Sequence, residues 1–120
     1  MKLISETTRI QAAGNPPKVI EEFVGNVNTR DSGISIAKME SPRGWSEPGQ
    51  RPEFDEYTLV LRGTLVLETE TGRYEVKANQ GVIMHRGEWV RYSTPFEEGA
   101  EYISVCIPAF SPSSVRRDEE

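Results

Sequence analysis

Histidine and cysteine are nearly missing from this chain, which holds one of each in 120 residues. A lone Cys106 cannot close an internal disulfide, and a lone His85 rules out any site built on several imidazoles. No basic stretch followed by an apolar run opens the sequence, so the expectation is a cytoplasmic, reduced protein with no membrane contact. Clustered cations are lacking as well. Nineteen acidic residues stand against 14 basic ones, a net charge of −5, and neutralising phosphates needs grouped Lys and Arg, so nucleic acid is not an expected partner. Neither a Gly-x-Ser-x-Gly elbow nor a Lys-bearing phosphate loop occurs, which leaves hydrolase and nucleotide-loop chemistry without a motif. The mixed run Arg116 to Glu120 reads as a solvated tail.

What is present is punctuation. Ten Gly and eight Pro are spread between short β-prone runs, with no repeat and no heptad pattern, which reads as all-β. Candidate strands are Lys18 to Val24, Gly33 to Glu40, Glu56 to Leu61, Thr64 to Glu68, Tyr74 to Lys77, Gly81 to His85, Glu88 to Ser93 and Glu101 to Ile107. The spacing of Val19, Ile20, Phe23 and Val24 suits a short helix as well as a strand. Gly63 and the segment Glu70-Thr71-Gly72 each fall between two apolar runs, where Gly supplies the positive φ of a hairpin, so a meander is expected. The Pro/Gly-rich stretch from Glu40 to Glu53 is too long for a turn and too broken for a strand, and reads as a functional or disordered loop. Many short antiparallel strands hide their edges best by closing into a barrel. At this length one domain, residues 1–120, buries roughly two thirds of its unfolded surface.

The middle of the chain resembles the cupin superfamily, the RmlC-like barrels. The first cupin motif, G, five residues, H-x-H, three or four residues, E, six residues, G, lies on Gly44, Gln50, Pro52, Glu56 and Gly63, with Gln and Pro in both histidine places. The second motif lies on Asn79, His85, Gly87, Val90 and Thr94, where Asn replaces Gly at a left-handed turn, His85 takes the proline place and Val90 the histidine place. The stretches Phe54 to Leu65, Gly87 to Pro95 and Ile107-Pro108-Ala109 look like the C-terminal cupin of ethanolamine-utilisation proteins, a branch that also lacks the metal histidines. The resemblance covers about 33–110. It implies an antiparallel double-stranded β-helix, the cupin or jelly-roll barrel, with residues 1–32 as an extension for strand pairing or dimer contact, 111–120 as a tail, and a homodimer as the assembly.

The replaced ligands imply no metal and no cofactor, because Pro52 and Val90 offer no side-chain donor and Gln50 is a weak one. An improvised site from His85, Glu56 and Cys106 is the remaining metal option. Glu56 alone keeps the motif's chemistry. If it points inward, period-2 alternation turns Thr58 and Val60 inward and Tyr57, Leu59 and Leu61 outward, and Val90 inward brings Tyr92 with it. Glu56 and Tyr92 are therefore the candidate catalytic residues, and Gln50, Thr58, Arg51 and His85 the candidate substrate contacts. For Glu56, pairing with Arg91 or Arg51 is the structural alternative, and Trp89 and Cys106 are read as packing residues. Two functions stay open: a metal-independent small-molecule-binding cupin, with Glu56 moving a proton in isomerase or lyase chemistry, and a non-catalytic dimeric module that senses a metabolite or binds a partner.

Overall fold

A computed structural model describes residues 1–118 of the chain, so Glu119 and Glu120 of the expected tail lie outside the described residues. Among the described residues nine strands form, all paired antiparallel: β1 Thr8–Ile10, β2 Val19–Val24, β3 Ser35–Ser41, β4 Trp45–Ser46, β5 Asp55–Thr69, β6 Gly72–Lys77, β7 Gly81–Met84, β8 Val90–Thr94 and β9 Ala100–Ile107. The ambiguous run at 19–24 is a strand, held between Thr8–Ile10 on one side and β3 on the other. Residues 8–10 and 19–24 thus extend their own chain's sheet.

β5 organises the fold. Its first half, through Gly63, pairs with β9, and residues 56–59 pair with β7 as well. Its second half, from Thr64, pairs with β6, and residues 66–69 pair with β8. One continuous 15-residue strand therefore belongs to two sheets, one running β1-β2-β3-β9-β5-β7 and the other β6-β5-β8-β4. The expected hairpin at Gly63 does not exist. The chain instead slips register between Val60 and Arg62 and bends at Gly63, whose φ is +75°; a Cβ there would collide with the Gly99 carbonyl oxygen. A bulge with a left-handed glycine turns a strand through a barrel corner without ending it. Nor is the sheet a meander, since β9 returns to lie between β3 and β5. The second expected hairpin is present, with Thr69 opposite Gly72.

Alternation along β5 runs as the sequence implies: Glu56, Thr58 and Val60 are buried, and Tyr57, Leu59 and Leu61 exposed. Asn79 adopts φ +68°, the left-handed geometry expected of it. Leu65, Leu67, Val76, Val90, Trp45 and Val60 make the main apolar cluster, each fully buried aliphatic side chain contributing about 1.5–3 kcal/mol. A smaller cluster of Phe54, Cys106 and Val115, with Phe110 against it, lies apart.

The segment expected to be a tail is instead a strap. The backbone N–H groups of Glu53, Arg51 and Asp118 bond Ser114 O (2.8 Å), Arg116 O (3.0 Å) and Gly49 O (2.7 Å) across it, and Trp89 Nε1 donates to the Asp118 carboxylate at 2.9 Å. Among the described residues no helix is long and apolar enough to cross a membrane.

Candidate functional site

Between the two apolar clusters lies a cavity lined by members of both, among them Tyr92, Tyr102, Phe54 and Cys106. About 60 Å³ of it admits water-sized molecules, room for roughly four to six of them. β5 supplies Glu56 and Thr58, β8 supplies Tyr92, and β9 supplies Tyr102, Ser104 and Cys106. These side chains converge because every second residue of each strand points inward.

Glu56 sits in the cavity wall, 9% exposed, with a hydroxyl donor on each oxygen. Tyr92 Oη donates to Oε1 at 3.0 Å, and Ser104 Oγ donates to Oε2, a diagonal contact across the β5–β9 ladder in which Glu56 faces Cys106. Burial, followed by the Glu56 charge and hydrogen bond, pushes the Tyr92 phenol well above its ordinary range; Tyr92 is thus held as a donor. Burial also raises the Cys106 thiol, helped by Glu56, which makes it an unreactive wall residue. Neither arginine proposed as a structural partner reaches Glu56: Arg51 pairs with Glu70 at 3.0 Å and Arg91 with Glu68 at 3.3 Å.

Gln50 reaches the cavity from the 41–54 loop. Its backbone exchanges two 2.9 Å bonds with Val90, so the places where the two cupin motifs would set histidines are neighbours in space. The side chain is only 4% exposed, yet its Oε1 has no hydrogen-bond partner. A buried carbonyl oxygen without a donor costs on the order of 1–3 kcal/mol. By contrast Glu22, also buried at the cavity's edge, is engaged by backbone: its Oε2 accepts from the N–H groups of Val27 and Asn28 at 3.0 and 2.8 Å.

Among the cavity residues not foreseen are Glu47, Lys18 and Ser104. Glu47, 7% exposed, lies in the loop with Arg117 Nη2 of the strap 3.9 Å away. Burial raises its carboxyl above the ordinary value, and the Glu56 charge adds to this, while Lys18 and Arg117 pull it down. Lys18 precedes β2, its ammonium 4.0 Å from the centroid of the Trp45 ring and 3.5 Å from the Tyr102 hydroxyl it donates to. Ser104 was legible by alternation from Cys106; Glu47 and Lys18, both outside strands, carried no signal. Two expected contacts are placed elsewhere. His85 is exposed after β7, its backbone N–H bonded to Glu88 at 2.8 Å, and Arg51 points along the outer surface.

The donor set does not suit a transition metal. With His85 outside the cavity, Glu56 would be joined by the Glu47 and Glu22 carboxyls, an amide, hydroxyls and a raised thiol, whereas such ions need nitrogen- or thiolate-rich sets of fixed geometry. Among the described residues no group of three His, Cys, Asp or Glu is gathered for one.

No family model matches the sequence. Among solved structures, the ethanolamine utilization protein Q of Salmonella typhimurium LT2 superposes with a TM-score of 0.68 at 16% identity, over 88% of this chain and 98% of that one. The polyketide cyclase RemF of Streptomyces resistomycificus gives 0.77 at 16% identity, over 100% and 85%. The fold is that of the cupins. In sequence, this cupin barrel is 45% identical over 95 residues to the endoribonuclease YbeY of Myxococcus xanthus, a match covering 79% of the chain but 32% of that protein. The chain therefore spans about a third of the length of the curated relative it matches.

Proposed function

We propose that this cupin binds a small organic molecule in its barrel cavity and acts on it by metal-independent proton transfer, of isomerase or lyase type, with Glu56 as the proton acceptor and Tyr92 as its hydrogen-bonded partner. The observation that carries the reading is Gln50 Oε1, buried and unpartnered on a residue that lines the same cavity as Glu56, since a costly orphan acceptor is relieved when a ligand donates to it. The likeness to RemF, a polyketide cyclase by name, supports chemistry on an organic substrate within this fold. In the test, Glu56→Gln keeps the cavity's shape and its melting temperature within a few degrees of wild type while losing turnover of any ligand found by screening. Equal loss of folding and turnover sinks the reading.

A second reading is favoured by the Myxococcus relative, in which a segment like this one occupies a third of a protein named an endoribonuclease. On it the barrel is a metabolite-sensing module that associates with such an enzyme. Calorimetric titration of the chain with the remaining portion of that protein, with no heat detected at micromolar concentrations, removes this reading. In either case we propose a cytoplasmic homodimer joined through the outer face of the β7-β5-β9 sheet, where Tyr57, Leu59 and Ile83 are exposed.

A further inference from the structure

Three carboxyl groups line the cavity: Glu22 is held by the backbone N–H groups of Val27 and Asn28 and Glu56 is the proposed proton acceptor, which leaves Glu47. Glu56 stands in the wall with its two hydroxyl donors. Glu47 lines the same cavity from the loop, within the field of a cation that no carboxylate pairs among the described residues: Lys18 bonds only the Tyr102 hydroxyl and the Met39 sulfur, at 3.5 and 3.6 Å, and stacks over Trp45. An ammonium with donors to spare needs an oxygen acceptor. Gln50 Oε1 needs a donor. The free space takes roughly four to six non-hydrogen atoms if each fills the room of about one water.

Resting on the reading of Glu56 as proton acceptor, we infer that the substrate is a three-carbon carbonyl compound with a hydroxyl on the adjacent carbon, and that Glu47 is the catalytic acid, with Lys18 and Gln50 holding the carbonyl and the hydroxyl. Lys18 Nζ donates to the carbonyl oxygen and the substrate hydroxyl donates to Gln50 Oε1. Glu56 removes the proton from the hydroxyl-bearing carbon. The electron pair of that C–H bond forms the carbon–carbon double bond, the carbonyl π pair moves to oxygen, and Glu47 gives its proton to that oxygen. The product of this step is a neutral enediol, with Glu56 now protonated and Glu47 now a carboxylate. Return of the Glu56 proton to the former carbonyl carbon, with the other hydroxyl's proton passing to Glu47, yields the isomeric hydroxycarbonyl and restores both residues. No oxidant, reductant or metal enters the balance. Burial of Glu47, which favours its protonated form, suits the donor role, and the neighbouring ammonium stabilises charge on the carbonyl oxygen.

The experiment is proton NMR in deuterated buffer with glyceraldehyde and dihydroxyacetone as probes, alongside spectra of the protein carrying ¹³C-methyl methionine. Met39 lines the cavity and reports occupancy. The expected result is interconversion with deuterium placed on carbon, a Met39 shift on titration, a fall in kcat of about 10²–10⁴-fold in Glu47→Gln, partial recovery in Glu47→Asp, and a KM raised about tenfold in Lys18→Met, as loss of one charged hydrogen bond implies. If Met39 shifts with other small molecules but not with these probes, the substrate class is overturned while the small-molecule reading stands. If no fragment of a diverse library moves Met39, both fall. Exchange that survives Glu47→Gln undiminished overturns the acid assignment.

Discussion

At the scale of single residues the cavity is a set of polar groups whose burial is tolerated only because most are satisfied. Tyr92 and Ser104 each spend a hydroxyl on Glu56, and hydrogen bonds to a carboxylate are worth about 1.5–3 kcal/mol when buried. Tyr92→Phe is therefore expected to lower unfolding stability by that amount in urea; an unchanged midpoint would mean that the bond is not formed in solution. Glu47 makes the opposite contribution. Its carboxyl is raised by burial and by Glu56, against the pull of Lys18 and Arg117, with the phenols of Tyr92 and Tyr102 also within its field. Above the ordinary value near 4.5 the unfolded chain has released a proton that the folded one still binds, so stability falls as pH rises from there through the raised folded value. Glu47→Gln removes that limb: relative to wild type it gains stability at pH 8 and not at pH 5, and a difference constant across pH would show that Glu47 titrates normally. Asp55 has the other sign. Arg86 donates to it from its backbone and from its guanidinium, holding it at about 2, so what that pair adds is present above the ordinary carboxyl range and fades as pH drops toward 2.

At the scale of elements, alternation was the most legible signal and turn chemistry the least. The inward set Glu56, Thr58, Val60, Val90 and Tyr92 follows from period 2 once one residue is placed, because a strand cannot turn neighbouring side chains to the same face without a bulge. Gly63 was misread for a physical reason: a left-handed glycine between two apolar runs serves a hairpin and a barrel corner equally, and only the partner strands distinguish them. β9 and β8, remote in sequence, supply that information. Gly63→Ala is expected to destabilise by about 2–4 kcal/mol, since it combines a left-handed alanine with a collision against Gly99. Denaturation with an unchanged slope measures it, and a loss below half a kcal/mol would mean that the corner relaxes freely. Strands β1 and β4, of three and two residues, were too short for any pattern to show. The strap was hidden because Arg116, Arg117 and Asp118 are charged, and their backbone bonds to the 49–53 loop leave no trace in side-chain pattern.

At the scale of the whole molecule the all-β class was readable from strand and turn pattern and the barrel from the resemblance to the cupin motifs, whereas the chemistry was only half readable. Glu56 came with the motif; Glu47 and Lys18 came from segments that approach the cavity only after closure, so no spacing rule links them to it. The outer sheet face carries the remaining prediction. Leu59 and Ile83 are about half exposed, 48% and 51%, on a flat apolar surface of the kind that marks association sites. Light scattering is expected to return twice 13.5 kDa for wild type and the monomer mass for Leu59→Asp. A wild-type monomer at micromolar concentration overturns the dimer.

Gln50 is bridged on one side to Val90 and on the other to Arg117, so the orphan oxygen and the strap share one stretch of backbone. Anything that occupies the cavity and satisfies that oxygen must steady the strap, and anything that peels the strap must disturb the oxygen. Amide hydrogen exchange at Arg51, Glu53 and Asp118, all bonded to or from the strap, is then a gauge of what the barrel holds, readable from the surface without knowledge of the ligand's identity.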